Sequence, residues 1–139
     1  MSDANLDRLG LEVLSPDECW QLLADAPVGR VAFVDAGEPV VFPVTHTVHG
    51  HSVVFRTGSG TKLEAAKMSQ AIAFEADAWD ASDRRGWSVL VRGVGETVYE
   101  DGELAELESS AAGPWLDSAT QGVWVRIRAD EISGRRLSP

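Results

Sequence analysis

Apolar positions in this chain come in short runs broken by glycine, proline and clustered polar residues, and that pattern predicts strands. The first run is Gly29-Arg30-Val31-Ala32-Phe33-Val34, followed by the turn Asp35-Ala36-Gly37-Glu38. A second strand spans Pro39 to Val48 and is interrupted by Pro43. A proline cannot donate to a ladder, so it marks an edge, a bulge or a place where something other than a strand pairs. His49-Gly50-His51 turns the chain into a third strand, Ser52–Thr57, and Ala71-Ile72-Ala73-Phe74-Glu75-Ala76 is a fourth. Trp87 to Tyr99 is a fifth, long strand, in which Gly93 and Gly95 point to bulges or sharp coiling. Val123-Trp124-Val125-Arg126-Ile127-Arg128 alternates apolar and basic and is a sixth.

Helical signals are fewer. Ser15-Pro16-Asp17-Glu18 combines an N-cap, a proline at the first helical position and a capping-box glutamate. Leu14 and Cys19 stand where a hydrophobic staple packs, and Pro27 ends the helix near Ala24. Glu103–Ser110 is a short acidic helix with a solvated face. With one more short helix after the third strand, the chain has six strands and three small helices joined by short connections. That inventory fits a mainly β domain, a closed or nearly closed antiparallel barrel over residues 14–139, after a loose polar arm at residues 1–13.

One stretch carries candidate chemistry. Val53-Val54-Phe55 runs into Arg56-Thr57-Gly58-Ser59-Gly60, and Thr61 and Glu64 form a capping box that opens a helix through about Lys67. A helix start offers free N–H groups and partial positive charge to an anion. Arg56, Thr57, Ser59 and Lys62 add side-chain donors, so the stretch reads as a phosphate cradle. The spacing is neither that of a P-loop nor that of a dinucleotide fingerprint.

Charge narrows the partners. The chain has 139 residues and a net charge of −10, which disfavours nucleic acid and requires any phosphate site to concentrate local positive charge. The single cysteine, Cys19, excludes an internal disulfide and falls in a helix as a packed thiol. No apolar run is long enough to span a membrane and no signal-peptide pattern begins the chain, so a cytoplasmic protein is expected. His46, His49 and His51 cluster, but His46 and His49 would face opposite sides of a strand, and no metal site is expected.

Taken together, several segments resemble the pyridoxamine 5′-phosphate oxidase-like flavin proteins of the split-barrel fold, particularly their short actinobacterial members. They are Pro27-Val28-Gly29-Arg30-Val31-Ala32-Phe33, Val41-Phe42-Pro43-Val44-Thr45, Val54-Phe55-Arg56-Thr57 with Thr61-Lys62-Leu63, Gly86-Trp87-Ser88-Val89-Leu90-Val91-Arg92-Gly93, and Ile132-Ser133-Gly134-Arg135-Arg136-Leu137. The resemblance implies a six-stranded antiparallel split β-barrel, a homodimer, and FMN at the subunit interface. It puts the phosphate against Arg56, Thr57, Thr61, Lys62 and the adjoining Leu63. The ring would lie along Pro43, Val44 and Thr45, with Trp87 and Ser88 closing the other side. Oxidases proper carry glutamine at Ser88 and a substrate lysine near the position of His46, which makes His46 the candidate substrate residue. Oxidation of a B6 vitamer is therefore not expected. The implied activity is an FMN-dependent oxidoreductase acting on a small molecule. The alternatives are an F420-dependent reductase, whose acidic tail Arg84 and Arg85 could hold, and a non-catalytic flavin- or haem-binding protein, with haem the least expected.

Overall fold

The computed structural model describes residues 6–58, 71–110 and 122–139. The Gly-Ser-Gly turn beyond Gly58, with Thr61, Lys62, Leu63 and the helix expected after it, lies outside the described residues.

Local signals act as the chain order suggests. Ser15 caps the helix Pro16–Asp25 (α1): its hydroxyl accepts from the Glu18 N–H, and the Glu18 side chain returns to the Ser15 backbone. Before it, within the stretch read as an arm, Glu12–Val13 forms a short strand (β1). The strands Gly29–Asp35 (β2) and Glu38–Val44 (β3) form a hairpin. Its turn residues Ala36 and Gly37 both have positive φ, 51° and 80°, the handedness that a tight two-residue hairpin needs. His46–His49 (β4) and Ser52–Gly58 (β5) form a second hairpin. Ile72–Asp80 (β6), Arg85–Thr97 (β7) and Gly122–Leu137 (β8) are longer, and Asp101–Ser110 is a helix (α2).

Every pairing is antiparallel, in the order β3-β2-β6-β7-β8-β5-β4, with β1 beside β8. The strands at the two ends of that order, β3 and β4, are consecutive in sequence and separated by Thr45 alone. The sheet therefore curls until its two edges are joined by the chain instead of by a ladder, which is a split barrel. Two expectations are corrected. There are eight strands among the described residues, not six, because β1 is added and the second strand divides. The division falls at Thr45 and not at Pro43: Pro43 stays within β3 opposite Arg30, where an edge strand tolerates its missing N–H. The expected bulge is present. Arg92 pairs with Glu131 and Gly93 with Ala129, which leaves Asp130 as the extra residue. A Cβ on Gly93 would stand 1.9 Å from the Arg128 carbonyl oxygen, so only glycine allows the strands to close there.

Alternate residues of the strands fill the barrel: Val31 and Phe33, Val53 and Phe55, Phe74 and Ala76, Val89 and Val91, Val125 and Ile127. From α1, Cys19 and Leu23 add to this core and are fully buried. Burial, and then the charge of Glu18, push the Cys19 thiol up, so it is a packing group. A second core lies on the outer face, where Leu104 and Leu107 of α2 cover Val54, Val98 and Trp124. No helix among the described residues is long and apolar enough to cross a membrane.

Candidate functional site

The strand crossing at Thr45 sets the geometry of the candidate residues. His46 pairs with Phe55, so Thr45 stands one step beyond that pair, alongside Arg56 by register. Alternation then sorts the side chains. Val44, His46 and Thr57 turn into the barrel, while Pro43 and Arg56 turn outward. Arg56 lies over the indole of Trp124, its Cζ 5.9 Å from the ring centroid. Thr57, the penultimate residue of β5, is fully buried, and its Oγ1 has no hydrogen-bond partner among the described residues.

His46 faces the core. Its Nε2 donates to the Leu23 carbonyl at 2.8 Å, which fixes the proton on that nitrogen, and its ring meets Phe74 edge-on at 4.7 Å. Burial holds the imidazole below its usual value, partly offset by the bond to Leu23, so the ring is neutral near pH 7. The second nitrogen, Nδ1, is buried with no hydrogen-bond partner.

Trp87 and Ser88 occupy the opposite end of β8 from Arg56. Ser88 pairs with Arg135, whereas Arg56 pairs with Trp124. Those partners are eleven residues apart on β8, which at about 3.3 Å per residue is roughly 35 Å of strand. One chain thus joins Pro43–His46 to Arg56–Thr57 at the crossing and leaves Trp87–Ser88 separate. Trp87 packs partly into the core, and Ser88 is exposed.

Between Pro43 and Ser88 the outer face carries residues that sequence reasoning missed. Arg30 lies opposite both Pro43 and Glu75, and Asp77 lies opposite Ser88. The Arg30 guanidinium binds Glu75 at 2.9 Å and Asp77 at 3.1 Å. The alternating pattern of the fourth strand could have flagged Glu75 as outward-facing, but the strand continues to Asp80 and so also includes Asp77. Further along this face, Ala32, Val34, Pro39, Val41 and Ala73 line an apolar groove of about 510 Å³. Val34 and Val41 are 65% and 61% exposed, which is unusual for neighbouring valines in a sheet.

His49 links the second hairpin to α2. Its Nδ1 and Nε2 face Glu103 and Glu106 at 2.9 and 3.2 Å, and Glu103 also binds Arg126. No group of three or more potential metal ligands forms among the described residues.

Known proteins resemble this chain in sequence and fold. An uncharacterized protein of Mycobacterium tuberculosis is 35% identical over 129 residues, covering 89% of this chain and 84% of that protein. The structure of a protein from Mycobacterium smegmatis described as an FAD binding protein superposes with a TM-score of 0.77 at 37% identity, covering 91% of this chain and 98% of the other. An FAD-binding protein from Mesorhizobium loti shares the fold, with a TM-score of 0.76 at 23% identity over 92% of this chain and 99% of the other. Residues 15–136 match the description of pyridoxamine 5′-phosphate oxidase, nearly the whole span of strands that builds the split barrel, and by that match the chain belongs to the pyridoxamine 5′-phosphate oxidase-like family.

Proposed function

We propose that this protein is a flavin-dependent oxidoreductase of its family, acting on a small molecule, with the flavin phosphate held by Arg56, Thr57 and Lys62. The observation that carries this reading is the Thr57 hydroxyl, buried at the end of β5 without a hydrogen-bond partner among the described residues. Folded proteins rarely bury a hydroxyl unused, and a phosphate oxygen is an acceptor of the right kind. Arg56 turns to the opposite face of β5 from Thr57 and adds positive charge at the same strand end, and Thr61 and Lys62 follow in the same stretch of chain. A bound flavin supplies hydride and electron transfer, for which no protein side chain substitutes. The chain's own task is to hold the phosphate and to present backbone groups of Pro43 to Thr45 toward the ring.

FMN is the form that the sequence resemblance favours, and kinship at 37% identity to a protein described as FAD-binding supports FAD. Both carry the phosphate that this cradle would read. The exposed groove at Val34 and Val41 supports a homodimer in which a second copy covers that face.

The test is reconstitution. Flavin-free protein is titrated with FMN, FAD and F420, with absorption and fluorescence as readouts, and any cofactor that co-purifies is identified by chromatography. Saturable flavin binding that weakens in Arg56→Ala supports the reading. Affinity for F420 alone would replace flavin by deazaflavin, and binding of none of the three would overturn it. Reduced, loaded protein mixed with electron acceptors then separates an oxidoreductase from a flavin carrier, which would bind tightly and turn nothing over.

A further inference from the structure

Trp79 rests over a glycine and stays open to solvent. It pairs with Gly86 across β6 and β7, and an ideal Cβ on Gly86 would stand 2.5 Å from the Trp79 Cε3. Glycine there makes the room that the indole occupies. The ring is nevertheless 58% exposed, and Leu137, the partner of Gly86 on β8, is 40% exposed beside it. The chain therefore holds a large aromatic ring in place without covering it. Two hollows flank the ring, of about 400 and 280 Å³, and Trp79, Gly86, Trp87 and Leu137 wall both. The larger falls within the range of small-molecule sites, about 300–1,000 Å³.

The charged groups around the ring divide into engaged and open ones. Asp77 is bound by Arg30 at 3.1 Å, Arg135 binds Asp7 at 3.0 Å, and Arg136 lies 3.4 and 3.3 Å from Glu12 and Glu18. The Asp80 carboxylate accepts from the Ser82 hydroxyl at 2.7 Å and from the Ser82 and Asp83 N–H groups at 2.9 and 3.1 Å. The Asp83 carboxylate and the Arg85 guanidinium are different. Both line the larger hollow, and neither side chain has a hydrogen-bond or ion-pair partner among the described residues. Arg84, between them, has a left-handed φ of 56° and lines neither hollow.

An open anion and an open cation beside an uncovered indole match a ligand that is aromatic and carries both charges. We propose that this hollow binds an aromatic amino acid as the free zwitterion. Its ring stacks on Trp79 with Leu137 at the edge, its carboxylate accepts from the Arg85 guanidinium, and its ammonium donates to the Asp83 carboxylate. A plain aromatic acid would be repelled by Asp83, and a plain aromatic amine by Arg85. The site lies at the end of β8 remote from Arg56. Trp79 also stands six residues along β6 from Ala73 of the apolar groove, roughly 20 Å of strand, so a second copy seated on that groove leaves it open. It goes beyond the flavin reading and does not depend on it.

The experiment uses flavin-free full-length protein and compares L-phenylalanine with 3-phenylpropanoate, which lacks the ammonium, and with phenethylamine, which lacks the carboxylate. NMR of the indole N–H groups reads binding, with the Trp79 signal identified by its loss in Trp79→Leu. L-Phenylalanine should shift that signal saturably and bind roughly two- to fivefold more tightly than either analogue, the scale of one exposed ion pair. Arg85→Gln should abolish the advantage over phenethylamine alone, and Asp83→Asn the advantage over 3-phenylpropanoate alone. No saturable shift at Trp79 would overturn the proposal, as would equal affinity for all three compounds or charge preferences that survive in both variants. Because no flavin is present, failure of flavin binding is read separately and would sink the cofactor assignment alone.

Discussion

The ring of Phe74 fills the space that a side chain on Gly29 would need: an ideal Cβ on Gly29 would stand 2.0 Å from the Phe74 Cζ. The same ring carries the edge of His46, and Gly29 pairs with Val44. Glycine at this position therefore lets β2 and β6 approach behind the strand crossing at Thr45. Gly29→Ala should destabilise the protein by about 1–3 kcal/mol through overpacking. Adding Phe74→Leu should recover part of the loss. Urea denaturation of the two variants checks this, and an unchanged midpoint in Gly29→Ala would show that the ring yields freely.

Thr57 separates stability from binding. Its hydroxyl is buried without a hydrogen-bond partner among the described residues, so Thr57→Val removes an unsatisfied polar atom at nearly constant shape. The flavin-free variant should be as stable as the parent or more so. Its flavin affinity should nonetheless fall roughly three- to tenfold, the equivalent of about 1 kcal/mol for one hydrogen bond. Arg56→Ala should cost roughly ten- to a hundredfold, as expected for a charge-assisted bond of about 1.5–3 kcal/mol. Isothermal titration beside thermal melts reads both quantities. Unaltered affinity in both variants would remove the phosphate from this strand end.

How far these features were legible follows from the range of the interactions involved. The Ser15 capping box is decided within four residues and was readable as written. Gly93 and Gly95 flagged an irregularity in β7, and the register does shift beside Gly93, although the extra residue, Asp130, lies on β8 and Gly95 pairs regularly with Ile127. Thr45 gave no such signal: the chain leaves one sheet edge and joins the other there, while the proline that seemed to mark the break sits harmlessly on an edge strand. The Arg30–Glu75 contact joins residues 45 positions apart, and nothing local pairs them. Beyond Ala76, β6 reads Asp77-Ala78-Trp79-Asp80 and is exposed at every position, so the alternation of buried apolar residues stopped short of Asp77 although the ladder with β7 continues to Asp80. Resemblance grouped Ser88 with Arg56, and the register of β8 shows them far apart within one chain.

The contact between His49 and α2 should respond to acid. The Glu103 carboxyl is held below its usual value, first by the hydrogen bond from Arg126 and also by its charge and by His49, against the effect of burial. A carboxylate with a lowered folded value contributes stability above its unfolded value, near 4.5, and that contribution is lost as pH falls through the folded value. Each His49 ring nitrogen faces a carboxylate of α2, Nδ1 toward Glu103 and Nε2 toward Glu106. His49→Ala and Glu103→Gln should each speed amide exchange in α2 several-fold while leaving β6 and β7 unaffected. Exchange rates in α2 equal to the parent's would show that Leu104 and Leu107 alone hold the helix.

His46 and Glu75 should pull stability in opposite directions over one range of pH. His46 is held below its usual value of 6.5 by burial, so the unfolded chain binds the proton more readily than the folded one. Stability from this group is complete above about pH 6.5 and falls as the solution is acidified below it. Protonation would place a charge at Nδ1, which is buried and lacks a hydrogen-bond partner. Burial first, then Asp77, raise Glu75 from 4.5 to about 7 against the pull of Arg30, so here the folded chain binds the proton more readily. Its contribution is complete below about pH 4.5 and is lost as pH rises toward 7. Between those limits the two contributions offset each other, and the wild-type dependence should be shallow. His46→Gln, which keeps a donor for the Leu23 carbonyl, should leave a stability that declines as pH rises. Glu75→Gln should leave one that increases as pH rises. Urea denaturation at closely spaced pH values supplies the curves, and the difference of each variant from wild type isolates the single group. Variants that both run parallel to wild type would mean that neither group titrates differently on folding. A flat wild-type curve that tilts in opposite senses in the two variants is the outcome expected from a neutral core histidine and a proton-holding carboxyl on the two faces of one barrel wall.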